Sequence, residues 1–208
     1  MTAEEEEYIL AHISPEPARL NEIYRNTYLR HLYPRMCSGH LQGRILAMLT
    51  AMICPKRIIE LGAFTGYSTL CFAEGMPADA HIDTVEIDDE IADELTATFA
   101  ATPWADRIHL HIADALDALR TLPGPWDLAF IDANKRHYME YLDLLIPKLS
   151  PGAFVLADNT LWSDKILTDS HDPQTEAIRR FNNAVATHPL FDTVILPIRD
   201  GMTILRLK

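Results

Sequence analysis

No stretch of this sequence is long and apolar enough to cross a membrane. The longest largely apolar run, Ile45–Cys54, has ten residues and stops at Pro55, whereas a span needs about 20. A buried helix is its expected use. The N-terminus, MTAEEEEYIL, is acidic where a signal peptide would be basic. Cysteine is scarce: Cys37, Cys54 and Cys71 form an odd set with no CxxC spacing. Reduced, partly buried thiols are expected, which fits a cytoplasmic protein in a reducing compartment. Positive charge is also short. Lys and Arg number 18 against 30 Asp and Glu, a net charge of −12, which argues against nucleic acid or an anionic membrane as the main partner. Repeats, low-complexity segments and long linkers are missing as well.

What is present is ordinary globular material. A chain of 208 residues with 48% hydrophobic content has the size and the apolar supply for a single domain with a sizeable core. Residues 1–53 read as a helical segment, with helices expected over Glu16–Tyr33 and Gln42–Ile53. The Glu4–Glu7 cluster reads as a solvated helix start. From about residue 54 to 208 short apolar runs alternate with amphipathic ones. Strands are expected at Arg57–Leu61, His81–Ile87, Arg107–Ile112, Asp127–Ile131 and Ala153–Ala157. Helices are expected at Gly66–Glu74, Asp89–Ala101, Ala115–Thr121, His137–Leu149 and Gln174–Thr187. Such alternation means an α/β fold with a parallel sheet covered on both faces. Two last strand-like runs, Asp192–Leu196 and Met202–Leu207, flank a turn ending in Asp200-Gly201, so an antiparallel hairpin closes the sheet.

The first strand runs into a glycine turn, RIIELGAFTGYST. Gly62 and Gly66 there let backbone N–H groups approach a ligand at a helix N-terminus. The spacing is G-x-x-x-G rather than G-x-G-x-x-G, and Phe64 stands where a pyrophosphate would need glycine. Glu60 is a carboxylate inside an apolar run, suited to a cationic ligand group. Glu86 ends the second strand, where an acid can accept two ribose hydroxyls. The pair suggests a ligand with a ribose and a positive charge. S-adenosylmethionine fits that description better than a pyrophosphate cofactor does.

A second group lies at the ends of the fourth and fifth strands. FIDANK places Asp132 there, and VLADN places Asp158 and Asn159. In a parallel sheet these ends share an edge with the glycine turn, and that edge binds ligands. Two carboxylates and an amide oxygen are hard ligands that suit Mg²⁺, with Mn²⁺ or Ca²⁺ as alternatives, and suit zinc poorly. Lys135 follows Asp132 by three residues, within reach of a proton to be removed. A phenolic hydroxyl titrates near about 10, so a cation and a base would both help to ionise it.

The segment ELGAFTGYST resembles the first cofactor motif of class I S-adenosylmethionine-dependent methyltransferases. It resembles most closely the catechol and caffeoyl-CoA type O-methyltransferases, whose version reads E-L-G-x-x-x-G-Y-S. The likeness runs from about Met36 to the C-terminus. It implies a Rossmann-like fold with a mostly parallel seven-stranded sheet, order 3-2-1-4-5-7-6, and a homodimer. It implies that Glu60, Gly62, Phe64 and Ser68 line the methionine end of the cofactor, that Glu86 holds the ribose, and that Asp114 and Ala115 border the adenine. MCSGHLQGR is similar to the family's M-x-V-G-x-x-Q-G-Q, which closes over the cofactor. That places Met36 there, with Ser38 where valine is usual. The D-x-x-K and D-N motifs imply that Asp132, Asp158 and Asn159 bind the cation and that Lys135 is the base, with Asp132 also facing the cofactor.

The implied reaction is methyl transfer from S-adenosylmethionine to a hydroxyl of an aromatic acceptor. Trp162, just after the D-N motif, either walls the acceptor pocket or anchors a loop. His109 and His111 alternate with apolar residues and read as surface histidines. Tyr138 and Tyr141 read as helix packing, and His137 as part of a helix start. Two other readings stand beside the main one. A nicotinamide-dependent oxidoreductase is disfavoured by the missing G-x-G-x-x-G and Tyr-x-x-x-Lys. A non-catalytic S-adenosylmethionine-binding protein would have no use for Lys135.

Overall fold

Seven strands form one sheet in the order β3-β2-β1-β4-β5-β7-β6. They are β1 Arg57–Leu61, β2 His81–Glu86, β3 Ile108–Ile112, β4 Trp126–Ile131, β5 Leu149–Asp158, β6 Phe191–Leu196 and β7 Met202–Leu207. The first five pair in parallel, and β7 runs antiparallel to both β5 and β6. This is a computed structural model, and it describes residues 2–208. The hairpin and the strand order are those the sequence led us to expect.

The central strands are continuous apolar runs because both faces of the sheet are covered. On one face lie α6 (Ala115–Thr121), α7 (Tyr138–Leu145) and α8 (Pro173–Ala186), packed on Ile59, Leu61, Ile131 and Val155. The other carries α2 (Ala18–Arg30), α3 (Gly39–Ile53), α4 (Tyr67–Gly75) and α5 (Ala92–Ala100), packed on Ile58, Ile82, Leu128 and Leu156. The N-terminal segment is thus part of one helical layer. Helices α3 and α4 approach so closely that a Cβ at Gly75 would lie 2.2 Å from the carbonyl oxygen of Ala47. Helix α1 (Ala3–His12) is acidic and buries no side chain, and Thr2 and Glu5 form its capping box.

The boundaries shift where proline or capping intervenes. Helix α2 begins at Ala18 after Pro17 and ends at Arg30, not Tyr33. Helix α3 starts earlier than expected, at Gly39, and stops at Cys54 in a left-handed conformation before Pro55. Helix α7 ends at Leu145 and not Leu149, because Pro147 lacks an N–H and turns the chain into a 3-10 segment, Ile146–Lys148. Strand β5 therefore starts at Leu149, four residues before the expected start. Cys37 and Cys71 are buried and Cys54 is exposed; all three are free thiols.

Candidate active site

The register brings Leu61, Val85, Ile131 and Ala157 into one row across four strands. The residues that follow them emerge at one edge of the sheet, over a cavity of about 1350 Å³. Met36, Gly62, Phe64, Glu86, Asp114, Ala115, Asp132, Lys135, Asp158, Asn159 and Trp162 all line it. Ser38, Glu60 and Ser68, expected beside them, are buried outside this wall.

The turn after β1 is built by close backbone approach. Gly62 has φ +99, and a Cβ there would lie 2.4 Å from the carbonyl oxygen of Asp132. Phe64 also takes a positive φ, +47, uncommon for a residue with a side chain. Its N–H donates to Glu86 Oε2 at 2.7 Å, and a charged acceptor of that kind offsets the strain. The other oxygen of Glu86 accepts from the N–H groups of Ile87 (2.8 Å) and Asp88 (2.9 Å). A carboxylate has about four acceptor sites, so Glu86 is fixed in direction and keeps capacity for a ligand hydroxyl. Asp114 caps α6, accepting from the Leu116 N–H at 2.8 Å.

Glu60 lies beneath α4, fully buried. Its Oε2 accepts from Thr69 Oγ1 at 2.5 Å and Thr84 Oγ1 at 2.6 Å. Its Oε1 has no partner among the described residues. Burial pushes the Glu60 carboxyl up to about 7, against the pull of the hydrogen bonds it accepts from Thr69 and Thr84. An orphaned, desolvated carboxylate oxygen behind the glycine turn fits a cofactor that carries a cationic group.

The β4 and β5 ends are different in kind. Lys135 is buried in a 3-10 turn, Lys135–His137. Its Nζ donates to Asp132 Oδ1 at 2.6 Å and to the Tyr138 hydroxyl at 2.8 Å. That hydroxyl in turn donates to the Asp158 carbonyl at 3.0 Å. Asp158 Oδ2 accepts from Gln42 Nε2 at 2.8 Å, and Oδ1 from the Asn159 N–H at 2.9 Å. Removal from water pushes Asp132 up to about 6; Lys135 pulls it down and the charge of Asp158 adds to the rise. Burial raises Asp200 too, again with Asp158 contributing. A buried pair of like charges with one lysine as counter-ion fits a divalent cation. Among the described residues no three His, Cys, Asp or Glu side chains group as metal ligands; the set here is two carboxylates and an amide.

Trp162, Ser163 and Asp164 follow in succession with positive φ, and the buried Nε1 of Trp162 has no partner among the described residues. Three exposed arginines, Arg30, Arg35 and Arg136, also line the cavity. The expected surface histidines hold Asp83 on β2: His111 lies 3.0 Å and His109 3.7 Å from its Oδ1. Tyr138 and Tyr141 are buried in the helical layer as expected, although the Tyr138 hydroxyl also serves Lys135.

A family model described as O-methyltransferase matches residues 11–208. The chain belongs to the O-methyltransferase family. It is 32% identical over 164 residues to a catechol O-methyltransferase of Mycobacterium tuberculosis, covering 78% of this chain and 74% of that one. It is 30% identical over 203 residues to a caffeoyl-CoA O-methyltransferase of Stellaria longipes, covering 92% and 84%. Among solved structures, an S-adenosylhomocysteine-bound methyltransferase of Podospora anserina superposes with TM-score 0.89 at 27% identity, covering 100% and 97%. The O-methyltransferase TomG of Streptomyces achromogenes, solved with S-adenosylmethionine, gives TM-score 0.90 at 26% identity, covering all of both chains. This methyltransferase is thus an S-adenosylmethionine-dependent enzyme with a Rossmann-like fold. The nicotinamide and non-catalytic readings fall with that result.

Sequence reading gave Gln42 no site role, and Arg199 and Asp200 only a place in the loop Arg199–Gly201, one of those expected to select the acceptor. Gln42 lay in a quoted motif, but its partner Asp158 is 116 residues away, and no local pattern links the two.

Proposed function

We propose that this cavity carries out metal-assisted methyl transfer to a hydroxyl of a catechol-like or caffeoyl-type aromatic acceptor. The observation that supports it best is the shared sheet edge. There an anchored Glu86 stands at one end, and the Asp132, Asp158, Asn159 and Lys135 set at the other. The whole chain serves as one catalytic domain. S-adenosylmethionine, when bound, supplies a methyl group on a sulfonium, and the divalent cation lowers the pKa of the acceptor hydroxyl. Glu86 holds the ribose, Asp114 and Ala115 border the adenine, and Gly62, Phe64 and Met36 close around the methionine end. Ser38 and Ser68 support that end from behind the wall, and Glu60 Oε1 answers the ammonium there. Asp132, Asp158 and Asn159 would hold the cation, and Lys135 Nζ, as the neutral amine, would take the hydroxyl proton and become the ammonium that Asp132 pairs. Trp162 walls the acceptor side. Much of the acceleration comes from alignment of the two reactants.

Among acceptors, Arg30, Arg35 and Arg136 favour one with an anionic group, since all three are exposed residues of the cavity lining in a chain of net charge −12. We also propose a homodimer in the cytoplasm. Edge strand β6 exposes Val194 and Ile195, and among the described residues no helix is long and apolar enough to cross a membrane.

Thermal unfolding with S-adenosylhomocysteine, with NAD⁺ and with neither, each with and without Mg²⁺, tests the reading. A ligand at 100 times its Kd stabilises by about 2.7 kcal/mol. Stabilisation by S-adenosylhomocysteine, and by Mg²⁺ in the wild type but not in Asp158→Ala, is expected. A shift with NAD⁺ alone would overturn the cofactor, and an unchanged Mg²⁺ response in the variant would overturn the cation site.

A further inference from the structure

Arg199 sits in the connection between β6 and β7 with φ +47, a conformation that glycine takes without cost and other residues rarely adopt. The chain accepts this strain, and its guanidinium group shows why. The two N–H groups of Nη1 serve three acceptors, the carbonyl of Cys37 (3.1 Å), the carbonyl of Ser38 and Gln42 Oε1 (2.7 Å), so one of them is shared. Nη2 donates to the carbonyl of Arg35 at 3.2 Å. All four acceptors belong to the stretch that runs from the 3-10 turn Pro34–Met36 into α3. Hydrogen bonds from a charged donor are roughly twice as strong as neutral ones, and here one fork reaches four acceptors.

The contact at Gln42 carries further. Its side chain is 1% exposed, so both ends of the amide need partners. Arg199 can only donate and an ionised Asp158 can only accept. The amide oxygen must therefore face Arg199 and the amide NH₂ must face Asp158, as observed at 2.7 and 2.8 Å. One side chain on the last hairpin thus fixes both the segment that supplies Arg35 and Met36 to the cavity wall and the orientation of Asp158. Arg199 lines the cavity itself, but its guanidinium is spent on the protein.

We propose that Arg199 is a positioning residue. It clasps Arg35–Ser38 over the cavity and, through Gln42, sets the carboxylate of Asp158. The part of this inference that concerns ligand binding rests on the cofactor reading above; the clasp itself does not.

The test uses Arg199→Gly and Arg199→Lys in the full chain. Glycine removes the guanidinium while relieving the left-handed backbone, so loss of the clasp is not confounded by added strain. Lysine keeps the charge but not the fork. Hydrogen–deuterium exchange is measured without ligand, and S-adenosylhomocysteine affinity by calorimetry. In Arg199→Gly, amides of residues 35–42 are expected to exchange at least about tenfold faster, with β4 and β5 unchanged. The affinity is expected to fall about tenfold, with Arg199→Lys between the two. Unchanged exchange over residues 35–42 overturns the clasp. Faster exchange with affinity within a factor of two of wild type overturns its role in the site. If protection is lost across β4 and β5, the glycine variant has a folding defect, and the same criteria are applied to Arg199→Lys. Failure of the wild type to bind S-adenosylhomocysteine would overturn the cofactor reading instead, and the exchange measurement would still judge the clasp.

Discussion

The two halves of the sheet edge solve different problems. At the ends of β1 and β2 the chain has largely satisfied itself. Glu86 takes three backbone N–H groups, Asp114 caps a helix, and Gly62 packs on the backbone of Asp132. At the ends of β4 and β5 it has left a charge imbalance. Asp132 and Asp200 each feel the charge of Asp158, with Lys135 and Arg199 as cations nearby, and burial raises two of the three acids. The difference teaches which half is a mould and which is an instrument. A mould is built from backbone and can be complete before its ligand arrives. The second half carries unbalanced charge, which is what the proposed cation and proton transfer would act on.

The sharpest way to separate the halves is Lys135→Ala. This removes the proposed base from the second half and leaves every side chain of the first in place. Turnover is expected to fall by about 10²–10⁴, while S-adenosylhomocysteine binds within a factor of two of wild type. Steady-state kinetics and calorimetry decide it. Full turnover in the variant would remove Lys135 from the mechanism, and lost cofactor binding would show that the halves are not separable.

One residue breaks the contrast from the other side. Glu60 belongs to the first half yet keeps an orphaned oxygen. Its carboxyl sits near 7 in the folded chain, against an ordinary value of 4.5. Between those values the folded state binds the extra proton and the unfolded state does not. Stability from this group is therefore full below pH 4.5 and is lost as pH rises toward 7. Glu60→Gln has no such proton, so its stability should fall less over that window, as read from unfolding temperature against pH. The variant should also bind S-adenosylhomocysteine about tenfold more weakly, having lost a charged partner for an ammonium. Equal slopes in both proteins would mean that Glu60 is no outlier.

How much of this could be seen in the sequence follows the same division. The first half was legible because backbone moulds leave local signatures. A glycine turn after an apolar run and an acid closing the next strand need only a dozen residues each. Asp132, Lys135, Asp158 and Asn159 were legible too, because strand ends in a parallel sheet share an edge whatever the loops do. The supports were not. Gln42 reaches Asp158 across 116 residues, and Arg199 reaches Gln42 across 157. A positive φ at Arg199 or Phe64 leaves no mark in residue type. Pro147 did carry a local signal for the end of α7, but helical periodicity ran past it. The 3-10 segment Trp162–Leu167, with its left-handed residues, has no hydrophobic period to read.

The smallest expected effect concerns the rim, where neither half decides. Arg30, Arg35 and Arg136 are exposed, so any one ion pair they make with an acceptor is screened and worth about 0–1 kcal/mol. Their effect should therefore appear as a preference between acceptors and not as a loss of activity. In Arg35→Ala combined with Arg136→Ala, KM for a caffeoyl thioester with an anionic tail should rise about threefold to tenfold. The KM for free catechol should stay unchanged, because that acceptor ends before the rim. The thioester difference should shrink at high salt, as expected of exposed charges. If both acceptors lose equally, the arginines shape the wall instead of reading the tail. If neither changes, the anionic acceptor is wrong, and the free catechol becomes the better substrate for the site that Asp132, Asp158 and Lys135 define.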